Sequence, residues 1–137
     1  MKKTALGKLV TVIVLVLVTI PLLSACDDDS RIPVAHYFSP NPATFATNIN
    51  SEDPRRQVNA VVTFEVIDEA AIEELATVNH IVRHSVLTIL GQLTMEDMIE
   101  NRNLDALAER LVSKVNEEIN TQFDLVIRAY FTEFFLS

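Results

Sequence analysis

The feature that most constrains the fold is a change of hydrophobic period in the middle of the chain. Residues 57–67, QVNAVVTFEVI, alternate between apolar and mostly polar side chains, which is typical of a strand with one buried face. From Asp68 the apolar residues recur at steps of three and four, so they share one face of a helix. These helical positions are Ala71, Leu75, Val78, Val82, Val86, Ile89 and Leu93. The change predicts a strand followed directly by one long helix.

Local signals predict the remaining elements. Residues 44–49, TFATNI, form a short candidate strand that could pair with the next one as an antiparallel hairpin. Residues 94–97, TMED, fit a capping box that should start a short second helix, and Asn103 can cap a third helix. Residues 124–137, DLVIRAYFTEFFLS, are rich in aromatic and β-branched side chains and predict a final strand. The order predicts an α+β domain over residues 44–137, in which a small antiparallel sheet is covered by one long and one or two shorter helices.

The N-terminus has the layout of an export signal. Lys2, Lys3 and Lys8 precede a 15-residue apolar run, residues 9–23, and small residues follow it. Fifteen helical residues rise about 22 Å, which is short of the roughly 30 Å hydrocarbon core of a bilayer. With the next three residues included, the run reaches the lower limit for spanning, so length alone leaves cleavage and retention open.

The residues after this run resemble the bacterial lipobox, in which a cysteine carries a diacylglyceryl group and becomes the new N-terminus. We therefore predict that residues 1–25 are a lipoprotein-type signal peptide, with an uncleaved membrane anchor as the alternative. Asp27 resembles an inner-membrane sorting signal, although residues 27–29 could equally be a solvated run of charge. Two or more acyl chains suffice for stable anchoring. The positions concerned are Leu23, Ser24, Ala25 and Asp27 for cleavage and sorting, and Cys26 for lipidation, which includes palmitate.

Charge excludes one class of partner. The chain has 11 basic and 19 acidic residues. Three lysines lie in residues 1–25, so the remainder carries 8 basic and 19 acidic residues, a formal charge of −11. Phosphate backbones repel such a domain, and we expect no nucleic-acid binding. Residues 26–43 contain three prolines and predict an extended tether between the anchor and the domain.

A metal or cofactor site is not favoured. His80 and His84 are four residues apart, a spacing that could bring two imidazoles to one metal ion. They lie nearly opposite Val82 and Val86 on the predicted helix, which favours a solvent-facing or intersubunit face instead. His36 lies in the predicted tether with no evident partner. We therefore predict no metal and no cofactor.

Catalysis is not favoured either. Adjacent helical carboxylates point about 100° apart, so these pairs are better explained by helix solubility than by general acid–base chemistry. Glu133 could cap a helix, pair with an arginine or protect a sheet edge. The chain has only two glycines and no Gly-x-Ser-x-Gly motif, and its one thiol would be acylated. We predict that the protein is not an enzyme. The carboxylate pairs are Glu73 with Glu74 and Glu117 with Glu118.

The final strand carries bulky side chains on both faces. Strict alternation places Phe131 and Phe135 on one face, and Tyr130, Phe134 and Leu136 on the other. Packing in the core is the favoured explanation, because a sheet under helices needs one apolar face. A strand that is apolar on both faces is either covered twice or shared with a neighbouring subunit.

Several segments together resemble the FliL family of flagellar basal body-associated proteins. The matching segments are Tyr37, FATNI, VNAVVTFEV, LTILGQLTMEDM, LDALAERLVSKVNEEIN and VIRAYFTEFFLS, and they span about residues 37–137. The closing Tyr130-Phe131-Thr132-Glu133-Phe134 is the most specific of them. Typical members keep a transmembrane helix, and here the chain departs from that pattern with its lipobox.

This resemblance implies a domain similar to the stomatin or SPFH fold that assembles into a ring around flagellar stator units. It implies a non-catalytic protein on the periplasmic face of the bacterial inner membrane that supports stator assembly or torque, through the periplasmic linker of the stator, for swimming or swarming motility. The alternative is a periplasmic lipoprotein of the same fold that scaffolds a different envelope complex. A ligand- or metal-binding lipoprotein would depend on the histidine pair alone.

Overall fold

A ten-residue strand at the centre of the sheet organises the domain. The computed structural model describes residues 34–99 and 103–137. The strands are β1 His36–Phe38, β2 Thr44–Asn48, β3 Gln57–Val66 and β4 Val126–Leu136. Every second residue of β3, from Val58 to Val66, is buried, which confirms the alternation seen in the sequence. One face of β3 therefore belongs to the core.

All pairing in the sheet is antiparallel and runs through β3. β1 pairs with residues 64–66 of β3, and β2 pairs with residues 57–61. β4 pairs along nearly the whole length of β3. Because a strand has only two edges, β1 and β2 lie one after the other along the edge of β3 opposite β4.

Strand β1 lies within the stretch predicted to be a tether. Residues 26–43 are predicted to form an extended tether, but His36–Phe38 is part of the sheet. Pro40 and Pro42 follow this strand and stay outside its ladder, so they do not remove a bond from the sheet. Ala35–Ser137 form one compact unit.

Four helices cover the buried face of the sheet. They are α1 Glu69–Thr77, α2 Asn79–Gly91, α3 Met95–Ile99 and α4 Leu104–Ile119. The fold is α+β, as the sequence predicts. The core joins β3 to residues from the helices, and the largest fully buried helical side chains include Leu75, Leu90 and Leu111. Within residues 34–99 and 103–137, no helix has the length and apolar character needed to cross a membrane.

The structure differs from the prediction of one continuous helix after β3. Val78 separates α1 from α2, with φ −105° and ψ 23°. The hydroxyl of Thr77 donates to the carbonyl of Glu74 at 2.7 Å, a local bond that competes with regular helix geometry. At the start of α2, the side-chain amide of Asn79 accepts from the backbone N–H of Asn41 at 3.0 Å and donates to its carbonyl at 2.9 Å. This long-range pairing holds the first residue of α2.

The predicted caps of the two later helices are confirmed. Thr94 N and Oγ1 each donate to Asp97 Oδ2 at 2.8 Å, and Asp97 N donates back to Thr94 Oγ1 at 3.2 Å. At the start of α4, Asn103 Oδ1 accepts from Ala106 N at 3.0 Å. Helix α4 ends at Asn120, whose φ of 50° is the left-handed conformation that asparagine tolerates.

Candidate interaction surface

Two extra residues in β4 shift its register against β3. They are Ile127 and Thr132, and neither has a partner in β3. The shift at Thr132 sets the faces of the aromatic C-terminal half of the strand. Directly opposite residues share a face of the sheet. The inward pairs are Val62–Phe131, Ala60–Phe134 and Val58–Leu136, and the outward pairs are Thr63–Tyr130, Val61–Glu133 and Asn59–Phe135.

The faces predicted for this strand are therefore wrong. Strict alternation groups Phe131 with Phe135, whereas the structure places Phe131 inside and Phe135 outside. The extra residue Thr132 exchanges the faces of every side chain that follows it. Phe131, Phe134 and Leu136 pack against the core, so the favoured prediction of a core role holds for the inward side.

The outward face of β3 and β4 carries no helix in the part of the chain that the structure describes, because the helices pack on the opposite, buried face. Strand β4 is also an edge strand in this region, since its only pairing is with β3. It is covered on one face and not on both. We call this outward surface the open face: Tyr37, Asn59, Val61, Thr63, Glu65, Arg128, Tyr130, Glu133 and Phe135.

A network of polar and aromatic side chains lies at one end of the open face. Tyr130 Oη donates to Glu65 Oε2 at 2.6 Å, and Arg128 Nη1 donates to Tyr130 Oη at 3.3 Å. The Tyr37 and Tyr130 ring centroids are 6.2 Å apart, within the range of aromatic pairing. The bond to the Glu65 carboxylate raises the pKa of Tyr130, and Arg128 partly offsets this because it favours the phenolate.

Exposed aromatic area accompanies this network. Tyr37 is 53% exposed and Phe135 is 51% exposed. Tyrosine, phenylalanine and arginine are enriched in protein interfaces, where large rigid side chains bury much area at low entropic cost. The open face therefore has the composition of a surface that binds another protein.

The position of Glu133 is compatible with one of the three roles considered for it. This carboxylate lies on the open face, away from the helices, so it does not cap one. In the described ranges it forms no ion pair with an arginine or lysine. Of the roles considered, protection of an exposed sheet edge fits its position.

Two of the three histidines and the paired carboxylates lie on helices. His80 and His84 are exposed on α2, and His36 is partly exposed in β1. No group of three potential metal ligands occurs among the residues described. Glu73 and Glu74 are exposed on α1.

On α4, Lys114 Nζ lies 2.6 Å from Glu118 Oε1 and 3.8 Å from Glu117 Oε2. The hydrogen bond from Lys114 lowers the pKa of Glu118. These contacts are ordinary ion pairs on a helix surface.

Sequence reasoning missed Glu65 and Arg128. Glu65 is the one charged residue of β3 and Arg128 is the one cation of β4, and they become neighbours only through the register of the two strands. The predicted processing positions Leu23, Ser24, Ala25, Cys26 and Asp27 lie outside the described residues.

Comparison with protein families finds one match. The family model for flagellar basal body-associated protein FliL matches residues 38–136, which include all of β2 to α4 and nearly all of the open face. A search of the curated proteins finds no match. The family match covers well over half of the chain, and so the chain belongs to the FliL family of flagellar basal body-associated proteins.

Proposed function

We propose that the protein is a non-catalytic, membrane-anchored component on the periplasmic face of the inner membrane that supports stator assembly or torque. The family match over residues 38–136 carries this proposal, because it associates the chain with the flagellar basal body. The open face supports it, since an uncovered sheet surface with exposed aromatic side chains suits an assembly protein.

Anchoring through a lipid on Cys26 is the first part of the proposal. Cleavage before Cys26 removes residues 1–25 and adds the mass of the acyl chains. Intact mass spectrometry of the membrane-extracted protein tests it, with Cys26→Ala as the variant that should remain unprocessed. An unprocessed wild-type chain would favour the uncleaved anchor instead.

Self-association is the second part: in a ring, the open face of one copy would contact a different surface of the next copy. We expect Phe135→Lys to shift sedimentation of the detergent-solubilised chain toward the monomer. Phe123→Lys is a matched control, because Phe123 is 69% exposed in the loop before β4 and lies outside the open face. Equal association of the two variants would remove the open face as the contact surface.

The flagellar role is tested in cells. Deletion of the gene should reduce swimming or swarming, and wild type and Phe123→Lys should restore it while Phe135→Lys should not. Unchanged motility after deletion would contradict the proposal and favour the scaffold of another envelope complex.

A further inference from the structure

A groove runs along the edge of β4, as its lining residues show. Four consecutive residues of the strand line it, Ile127 to Tyr130. Because alternate side chains point to opposite faces, consecutive residues share a cavity only where the cavity lies along the strand edge. The other wall is one stripe of α4: Asp105, Ala108, Glu109, Val112 and Ser113. The volume is about 870 Å³.

The end of this edge shows how a partner's backbone can pair with it. At Val126, the side-chain amide of Asn116 donates to the carbonyl at 2.9 Å and accepts from the backbone N–H at 3.0 Å. Asn116 therefore supplies the two bonds that a neighbouring strand would supply. Beyond Val126, no side chain in the described ranges bonds to the backbone of Ile127–Tyr130. The register shift between Glu65 and Val66 leaves Ile127 without a partner in β3, and the next backbone groups that point away from β3 in the regular ladder are those of Ala129.

The groove has an apolar floor and an acidic rim. Ala108, Val112 and Ile127 supply the apolar surface, and Ile127 is 53% exposed. Asp105 and Glu109 stand on the rim. The adjoining hollow along α4 adds the carboxylates of Glu117 and Asp124. Within the groove itself, the single cation is Arg128.

We propose that this groove binds an extended, basic peptide segment of a partner protein, which adds as a strand to the edge of β4. Backbone bonds to Ala129, whose polar groups point away from β3, and to the unpaired Ile127 supply affinity. Alternate apolar side chains enter the floor, and lysine or arginine side chains reach Asp105 and Glu109.

Residues 35–137 carry 7 basic and 16 acidic residues, a formal charge of −9. The carboxylates that line this groove and the adjoining hollow therefore favour a basic partner over a second, acidic copy at this place. The groove adjoins the open face and shares Arg128 and Tyr130 with it, but its other walls are Ile127, Ala129 and α4. The proposal does not depend on the flagellar role.

Binding is tested with a fluorescently labelled peptide of alternating valine and lysine and the full chain in detergent. The acidic counterpart of alternating valine and glutamate is the control probe. We expect the basic peptide to bind at least tenfold more tightly than the acidic one. Asp105→Asn combined with Glu109→Gln should lower the affinity for the basic peptide roughly tenfold, which corresponds to the loss of two partly screened ion pairs.

The matched control is Glu73→Gln combined with Glu74→Gln, which removes the same charge from the exposed surface of α1. It should leave affinity within about twofold of the wild type. Two N-methylated peptides test the backbone pairing: one is methylated at the odd-numbered amides and the other at the even-numbered amides, which point to opposite edges of an extended peptide. Only the peptide methylated on the edge that faces β4 should fail to bind. Amide NMR shifts on binding should concentrate at Ile127–Tyr130.

Three results would overturn the proposal. They are equal affinity for the basic and acidic peptides, equal tolerance of N-methylation on both edges, and amide shifts located away from β4. Concentration-dependent dimerisation that shifts the same amides in the absence of peptide would assign the groove to a second copy, and would also overturn it.

Discussion

Two asparagine side chains, Asn79 and Asn116, pair with backbone groups in the way that a neighbouring strand would. Asn79 bonds both backbone groups of Asn41, and Asn116 bonds both backbone groups of Val126. A primary amide has the same donor and acceptor as a peptide unit, so one side chain satisfies two backbone groups. At Val126, which is buried, these groups would be costly to leave without partners. Aspartate and leucine, which are close in size, lack this pair.

The first prediction concerns Asn116→Leu. Because Val126 is buried, loss of both bonds should lower the free energy of unfolding by about 2–4 kcal/mol, measured by urea denaturation. Asn116→Asp keeps the acceptor but sets a carboxylate against the Val126 carbonyl. The loss of unfolding free energy in Asn116→Asp, relative to wild type, should become smaller as pH falls, because the protonated carboxyl can donate a hydrogen bond. Equal stability of wild type and Asn116→Leu would contradict this role.

The second prediction concerns the ionisation of Tyr130. Its neutral phenol donates to the Glu65 carboxylate, which raises the pKa of Tyr130 above its usual value near 10. The contribution of this bond to stability is fully present below the unfolded pKa and is lost as pH rises through the folded pKa. Ultraviolet titration in a Tyr37→Phe background should locate the phenolate transition above that of an unfolded control.

Two variants should move this transition in opposite directions. Glu65→Gln should lower the pKa of Tyr130, because it removes the charged acceptor. Arg128→Met should raise it further, because Arg128 favours the phenolate. Shifts of the same sign in both variants would show that the network does not control Tyr130.

At the scale of elements, the sequence predicts those parts of the fold that depend on local pattern. The alternation of β3 is visible because one strand face faces the core along its whole length. The caps at Thr94 and Asn103 are visible because each is completed within three residues. These features can therefore be predicted without knowledge of tertiary contacts.

The features that the sequence did not reveal depend on distant partners. The interruption at Val78 accompanies the bonds between Asn79 and a loop 38 residues earlier in the chain. Strand β1 is only three residues long and becomes a strand by pairing with β3. The shift at Thr132 leaves the composition of β4 unchanged while it exchanges its faces. The aromatic residues of the open face were therefore visible in the sequence, but their arrangement and the charges of Glu65 and Arg128 beside them were not.

The third prediction tests the register of β4. Deletion of Thr132 removes the extra residue at this point and preserves every inward pair, so the free energy of unfolding should change by about 1 kcal/mol or less. Deletion of Phe131 also restores regular pairing at this point, but it brings Thr132 opposite Val62 in place of the aromatic ring. This deletion should cost about 2–4 kcal/mol more in chemical denaturation. Equal costs would contradict the assigned faces.

At the scale of the whole molecule, the charge of the domain sets its response to salt. The described unit, residues 35–137, has a formal charge of −9, and self-repulsion of this kind destabilises a compact state. The fourth prediction is that raising NaCl from about 0.01 M to about 0.5 M stabilises the chain by about 1 kcal/mol, as a rise in thermal midpoint. The gain should shrink in the Glu73→Gln, Glu74→Gln double variant. A lower midpoint at high salt would contradict it.

The position of β1 determines how the domain bears mechanical load. A pull on the chain from its N-terminal side reaches the compact unit first at β1, which is paired to β3 through only three residues. The next attachment is the loop after β1, where Asn79 binds Asn41 and Arg83 binds the carbonyl of Pro42. Force would therefore detach β1 and load this loop before it disturbs β3 and β4, which share the longest ladder in the sheet. Strand β1 would thus separate from the sheet at low force while β3 and β4 stay paired.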